Sequence, residues 1–162
     1  MKANRLTRCL SVCGLILFFL ALSGIDLSSR AIPQHWTISL SIFPTAITFP
    51  SADPDLVPVI AANTPVQIQV TTWPPNRPWQ LTIRAEGNLV SSSGQVIPIN
   101  TISWRATSNP PFRDGVLAAG QSLVLAESRG DRSSDLNFSF QNSWNYVAGN
   151  YSQVITFTAS LL

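Results

Sequence analysis

From residue 36 onward, apolar and polar side chains alternate in short runs separated by turn residues. Trp36, Ile38, Leu40 and Ile42 fall on one face of "WTISLSIF", and Thr37, Ser39 and Ser41 on the other. A period of two is that of a half-buried strand. "PVQIQVTTW" (65–73) repeats the pattern, with Val66, Ile68 and Val70 opposite Gln67, Gln69 and Thr71. "WQLTIRAEG" (79–87) directs Trp79, Leu81 and Ile83 inward, after the stiff turn "PPNRP". "QVIPINTISWRAT" (95–107) predicts one or two short strands around Pro98. "QSLVLAES" follows a stretch rich in proline and glycine, then come the turn "RGDRSSD" and the alternating "LNFSFQ" (136–141). "AITF" (46–49) lies between Pro44 and the loop "SADPDLVP", whose proline and aspartate content breaks regular structure.

The closing run "YSQVITFTASL" alternates as well. With Tyr151 inward, Ile155, Phe157, Ala159 and Leu161 form a core face, and Val154, Thr156, Thr158 and Ser160 an outer one. This predicts a full member of the sheet, central rather than at an edge. The approach through Ala148-Gly149-Asn150-Tyr151 is similar to a tyrosine corner, in which a ring near a strand start returns its hydroxyl to nearby backbone. Here it precedes the last strand, not the penultimate one. Gly149 is expected to turn the chain with positive φ.

No stretch beyond the leader sustains a helical period. Short strands and turns at these intervals, built from Val, Ile, Thr, Phe and Trp, predict an all-β fold. Alternation on one face calls for antiparallel sheets with one side packed and the other wet. The expected architecture is an antiparallel immunoglobulin-like β-sandwich of about seven to eight strands over 32–162, preceded by a signal-peptide helix over 1–31.

The leader changes how composition and charge are read. "MKANRLTR" carries Lys2, Arg5 and Arg8, and an uncharged apolar run from Cys9 to Ile25 follows. A small-x-small exit at Ser29-Arg30-Ala31 places cleavage after Ala31, with Ala21-Leu22-Ser23 as a second site. The other reading is a retained anchor, for which the apolar run falls short of the roughly 20 residues of a spanning helix. Both cysteines, Cys9 and Cys13, lie in the leader and neither sits in a lipobox, so the exported part has no disulfide. At about 130 residues it can be held by its core alone. From residue 32 there are six arginines, seven acids and no lysine, a net charge of −1. The basic leader alone accounts for the overall positive charge, and nothing points to nucleic acid. Localisation is expected to be secreted, periplasmic or at the cell surface, with the membrane touched only through the leader.

Signatures of catalysis are missing. The one histidine, His35, lies beside the cleavage site, and there is no G-x-S-x-G, H-E-x-x-H or P-loop. No cofactor and no metal is expected. Asp53 with Asp55, and Asp131 with Asp135, read as acidic turns. Glu86 and Glu127, the only glutamates, read as solvated strand ends rather than a glycosidase pair. The triplets "NFS" and "NYS" and the "RGD" at 129–131 read as chance matches. Of the tryptophans, Trp79 and Trp104 are expected in the core. Trp73, Trp144 and Tyr146 are expected near loop ends, where they are candidates for a ligand or partner surface, set against core or rim packing as the preferred reading.

The leader, "ISLSIF", "ITFP", "VQIQV", "WQLTI" and the ending "AGNYSQVITFTASLL" together resemble bacterial fimbrial-type subunits, in particular spore coat protein U and related pilin-like secreted domains. In that group a final aG-x-Y-x-x-x-φ-x-φ-x segment, with φ apolar, is typical. A disulfide frequent in its early strands has no counterpart here. The resemblance implies assembly by donated strands, with 36–43 as donor and Trp36, Ile38, Leu40 and Ile42 filling a neighbour's pockets. The same alternation equally describes the first strand of a self-contained sandwich. Two functions stay open. One is an exported, non-enzymatic structural or adhesive surface subunit, whose partners are further copies of itself or other surface subunits. The alternative is a monomeric secreted module that binds a polysaccharide or other surface ligand through Trp73, Trp144 and Tyr146.

Overall fold

The computed structural model describes residues 35–162, and the leader predicted over 1–31 lies outside the described residues. Among the described residues there is no α-helix. In chain order the strands are Thr37–Phe43 (β1), Val59–Ala61 (β2), Val66–Trp73 (β3), Pro78–Ala85 (β4), Leu89–Ser91 (β5), Val96–Ile97 (β6), Ile102–Ala106 (β7), Gly115–Val116 (β8), Ser122–Arg129 (β9), Arg132–Gln141 (β10), Tyr151–Ser152 (β11) and Ile155–Leu161 (β12). Seven of them have five residues or more, in line with the number predicted; the rest are pieces of two or three. Around Pro98 the chain makes a short strand and then a single 3-10 turn, Ile99–Thr101.

Two antiparallel sheets form the sandwich. The larger has the order β1-β3-β10-β7-β8, with β2 also paired to β10; the smaller has the order β12-β4-β9. A third small sheet, β11-β5-β6, lies off these two. Alternation explains the layers directly. Val66, Ile68, Val70, Leu136, Phe138, Ile102 and Trp104 from one sheet meet Trp79, Leu81 and Ile83 from the other in a single buried cluster. Removing each such side chain from water contributes about 1.5–3 kcal/mol. The two buried indoles keep their N–H groups satisfied: Trp79 donates to the carbonyl of Gly130 at 2.7 Å, and Trp104 to that of Arg113 at 2.8 Å.

Three expectations are corrected. The turn predicted over "RGDRSSD" is far shorter, because Gly130 at φ +64° reverses the chain within Gly130-Asp131 and β10 resumes at Arg132. The last strand is an edge, not a central strand: β12 pairs with β4 alone. Its alternation reports a buried face, which says nothing of how many neighbours its backbone has. Gly149 is not among the positive-φ residues. A Cβ there would sit in ordinary contact, 3.5 Å from Cε2 of Tyr151, so the turn does not require glycine.

The tyrosine itself behaves as expected. Its hydroxyl donates to the carbonyl of Val147 at 2.7 Å. The ring is half-buried, and β11 pairs with β5 in the small sheet before the chain enters β12.

Candidate functional site

The two flanks of the sandwich are built differently. On one flank the segment that leaves β7 crosses between the sheets. Phe112 is fully buried against the core, bridges Ala126 of β9, and is followed by a bond from the Arg113 N–H to the Leu125 carbonyl at 2.8 Å. A register shift in the β4–β9 pairing at Leu81/Thr82 leaves Leu125 out of the ladder, so that its carbonyl can take this crossing segment. Gly115 completes the closure: it pairs with Trp104, and any side chain at 115 would collide with that indole ring. This flank is stitched by backbone.

The opposite flank is not. β1 pairs only with β3, in register from Thr37↔Trp73 to Phe43↔Gln67, and β12 pairs only with β4, from Ile155↔Ala85 to Leu161↔Trp79. The corner between β3 and β4 therefore brings Thr37 and Leu161 to the same end. Cα atoms of β1 and β12 come within 8 Å, yet among the described residues no backbone hydrogen bond joins the two strands. The inward residues of both, Ile38, Leu40 and Ile42 with Ile155, Phe157, Ala159 and Leu161, pack on the core but are only half-buried. The result is an apolar seam between two strand edges whose outward N–H and C=O groups lack strand partners.

Of the four predicted donor residues, Ile38, Leu40 and Ile42 line this seam. Trp36 precedes β1, is 51% exposed, and lies over the guanidinium of Arg77 at 3.8 Å from the ring centroid. Arg77 belongs to the β3–β4 corner, where the Gly130 N–H donates to its carbonyl at 3.3 Å. Sequence alone gives no signal for Arg77, since 41 positions separate it from its aromatic partner.

Comparison with family models and with curated proteins finds no match to this chain. The geometry must therefore carry the functional reading.

The loop-end aromatics do not converge. Trp73 is 68% exposed at the end of β3, beside the turn that starts β10; Trp144 is 67% exposed beyond the other end of β10. β10 has ten residues, so roughly 30 Å separates the two ends at about 3.3 Å per residue. Trp144 donates its N–H to Oδ1 of Asp55 at 3.0 Å. Tyr146 is half-buried, with its ring 6.1 Å from that of Phe140. These three make no common platform.

The acidic residues have local partners. Asp53 accepts from the Asp55 N–H at 2.9 Å, and Asp131 from the Thr72 N–H at 3.0 Å, which holds the end of β3 against the β9–β10 turn. Glu127 takes a hydrogen bond from Gln80 and a 3.7 Å ion pair from Arg113, whereas Glu86 pairs with Arg84. Gln80 and Arg84 stand at opposite ends of β4, so the two glutamates are not brought together. Among the described residues no group of three or more His, Cys, Asp or Glu could hold a metal.

Proposed function

We propose that this chain is an exported structural or adhesive subunit of pilin-like type, non-enzymatic, which associates with further copies or other surface subunits by exchanging its first strand. The observation that carries this reading is the contrast between the flanks. The β1–β12 side lacks the backbone stitching of the Phe112 side and buries its apolar residues only halfway. Edges of this kind are templates for another chain unless they are shielded by lysine, proline or a bulge, and β1 and β12 contain none of the three.

The tethering of β1 supports exchange over mere addition. Beyond β1 the chain is fixed again at Thr48, whose N–H donates to Asn63 Oδ1 at 3.0 Å and whose carbonyl accepts from the Asn63 N–H at 2.9 Å. Asn142 holds the loop further on, through the carbonyls of Ala52 and Val57. Ile47 already packs on the core, so only Pro44–Ala46 is left as a hinge. A β1 strand from a second copy would make the same ladder with β3 and fill the same seam, so exchange loses no contact and is governed by concentration and hinge strain.

The test is the native mass of the processed protein by light scattering behind a sizing column, with and without residues 32–43. Under this reading the intact protein forms dimers or longer assemblies at high concentration. The shortened protein does not assemble, and it recovers a folded, monomeric state on addition of a 36–43 peptide. An intact protein that stays monomeric at every concentration, or a shortened one that still polymerises, overturns it.

A further inference from the structure

We infer that the outer face of the larger sheet is a binding site for an uncharged polysaccharide, seated on Phe43 and held by Gln67, Gln69, Ser133 and Asp135. The site is distinct from Trp73, Trp144 and Tyr146, and it does not depend on strand exchange, because the same surface forms whichever copy supplies β1.

Strand register assembles it. Ser41 pairs with Gln69, which pairs with Ser133; Phe43 pairs with Gln67, which pairs with Asp135. Two parallel rows therefore cross β1, β3 and β10. Their strand neighbours Ile42, Ile68, Ser134 and Leu136 have the opposite parity and turn toward the core, which leaves both rows on the outer face. The rows lie two residues apart and three strands wide, a footprint of roughly 7 by 10 Å. They line a depression of ≈ 400 Å³, widened by Thr107 and Ser108.

The chemistry of this surface is selective. Phe43 is 69% exposed, a large ring held in water on a strand face and unused by the core. Among the described residues, no hydrogen bond or ion pair engages the side chains of Ser41, Gln67, Gln69 or Ser133 or the carboxylate of Asp135. Each glutamine amide offers two donors and an acceptor, each serine both functions, and the carboxylate two acceptor oxygens that can take adjacent hydroxyls together. An apolar ring beside such groups complements a pyranose, which presents an apolar C–H face and an edge of hydroxyls that donate and accept. Such a mix of apolar surface and a few placed polar groups is the general make-up of ligand sites. Asp135 is the only charged group lining the depression, and Arg105 stands one row further on the same face, so the surface carries no net charge to draw uronic or sulfated polymers and suits neutral ones.

Affinity electrophoresis of the processed protein tests this, in native gels containing dextran, hydroxyethylcellulose or galactomannan, with polygalacturonate as the anionic counterpart. At least one neutral polymer is expected to retard the protein, and polygalacturonate is not. Phe43→Ala should weaken retardation at least about fivefold. Gln69→Ala and Asp135→Asn, which leave β1 untouched, should weaken it in the same polymer while circular dichroism and light-scattering mass stay unchanged. Trp144→Ala should have no effect. Absence of retardation in all three neutral polymers, equal retardation of the Gln69 and Asp135 variants, or stronger retardation by polygalacturonate overturns the assignment.

Discussion

The indole of Trp36 lies over the guanidinium of Arg77, 3.8 Å from Cζ to the ring centroid, and so pins the start of β1 to the corner between β3 and β4. An exposed cation–π pair of this type contributes about 0.5–1 kcal/mol. A double-mutant cycle of Trp36→Ala and Arg77→Ala, followed by urea unfolding, should return a coupling of that size. A coupling of zero would mean that the indole and the guanidinium merely lie side by side.

The flanks should respond unequally to truncation. Phe112→Ala empties a fully buried site on the stitched side and should cost about 3–5 kcal/mol, enough to threaten the fold. Leu40→Ala removes a half-buried side chain from the seam and should cost less than the roughly 2 kcal/mol at which buried leucine truncations begin. Hydrogen exchange should then show faster opening confined to β1 and the facing amides of β3, with β4, β7 and β10 unaffected. Equal losses from the two changes would contradict the asymmetry between the flanks.

Glycine at 115 and glycine at 149 should also part company. Gly115→Ala drives a methyl group into the buried Trp104 ring, an overpacking that costs about 1–3 kcal/mol. Gly149→Ala meets only the edge of Tyr151 at ordinary contact distance and its φ is not positive, so its denaturation midpoint should stay close to that of the unaltered protein. Thermal unfolding of the two variants side by side decides the matter.

What alternation encodes was legible, and what pairing encodes was not. The inward sets Val66, Ile68, Val70 and Trp79, Leu81, Ile83 followed from period two and are buried as expected. Trp79 and Trp104 were placed in the core, and Trp73 and Trp144 at exposed loop ends, from their strand or loop surroundings alone. Strand order is a non-local property, so β12 could be assigned its buried face but not its place at an edge. The seam depends on β1 and β12, more than a hundred residues apart in the chain, meeting beside a corner that neither contains. For the same reason Arg77 and the rows on Gln67 and Gln69 carried no signal in the sequence. The long turn expected at 129–135 failed because Ser133, Ser134 and Asp135 look like loop residues, although Ser134 is buried and its hydroxyl accepts from the Ser108 N–H at 3.1 Å.

The Tyr151 hydroxyl offers the last test, since it ties the entry to the final strand back onto the loop that precedes it. The bond to the Val147 carbonyl is short, 2.7 Å, and solvent-exposed. Tyr151→Phe keeps the half-buried ring and removes only the hydrogen bond, so the loss should fall at the low end of the range for a single bond, about 0.5–1 kcal/mol. Tyr151→Ala removes the ring as well and should cost more, because the packing of the ring is lost with the bond. Urea unfolding of both variants separates the two contributions. If the phenylalanine variant loses as much as the alanine variant, the hydroxyl rather than the ring holds the corner, and the packing account of this turn is wrong.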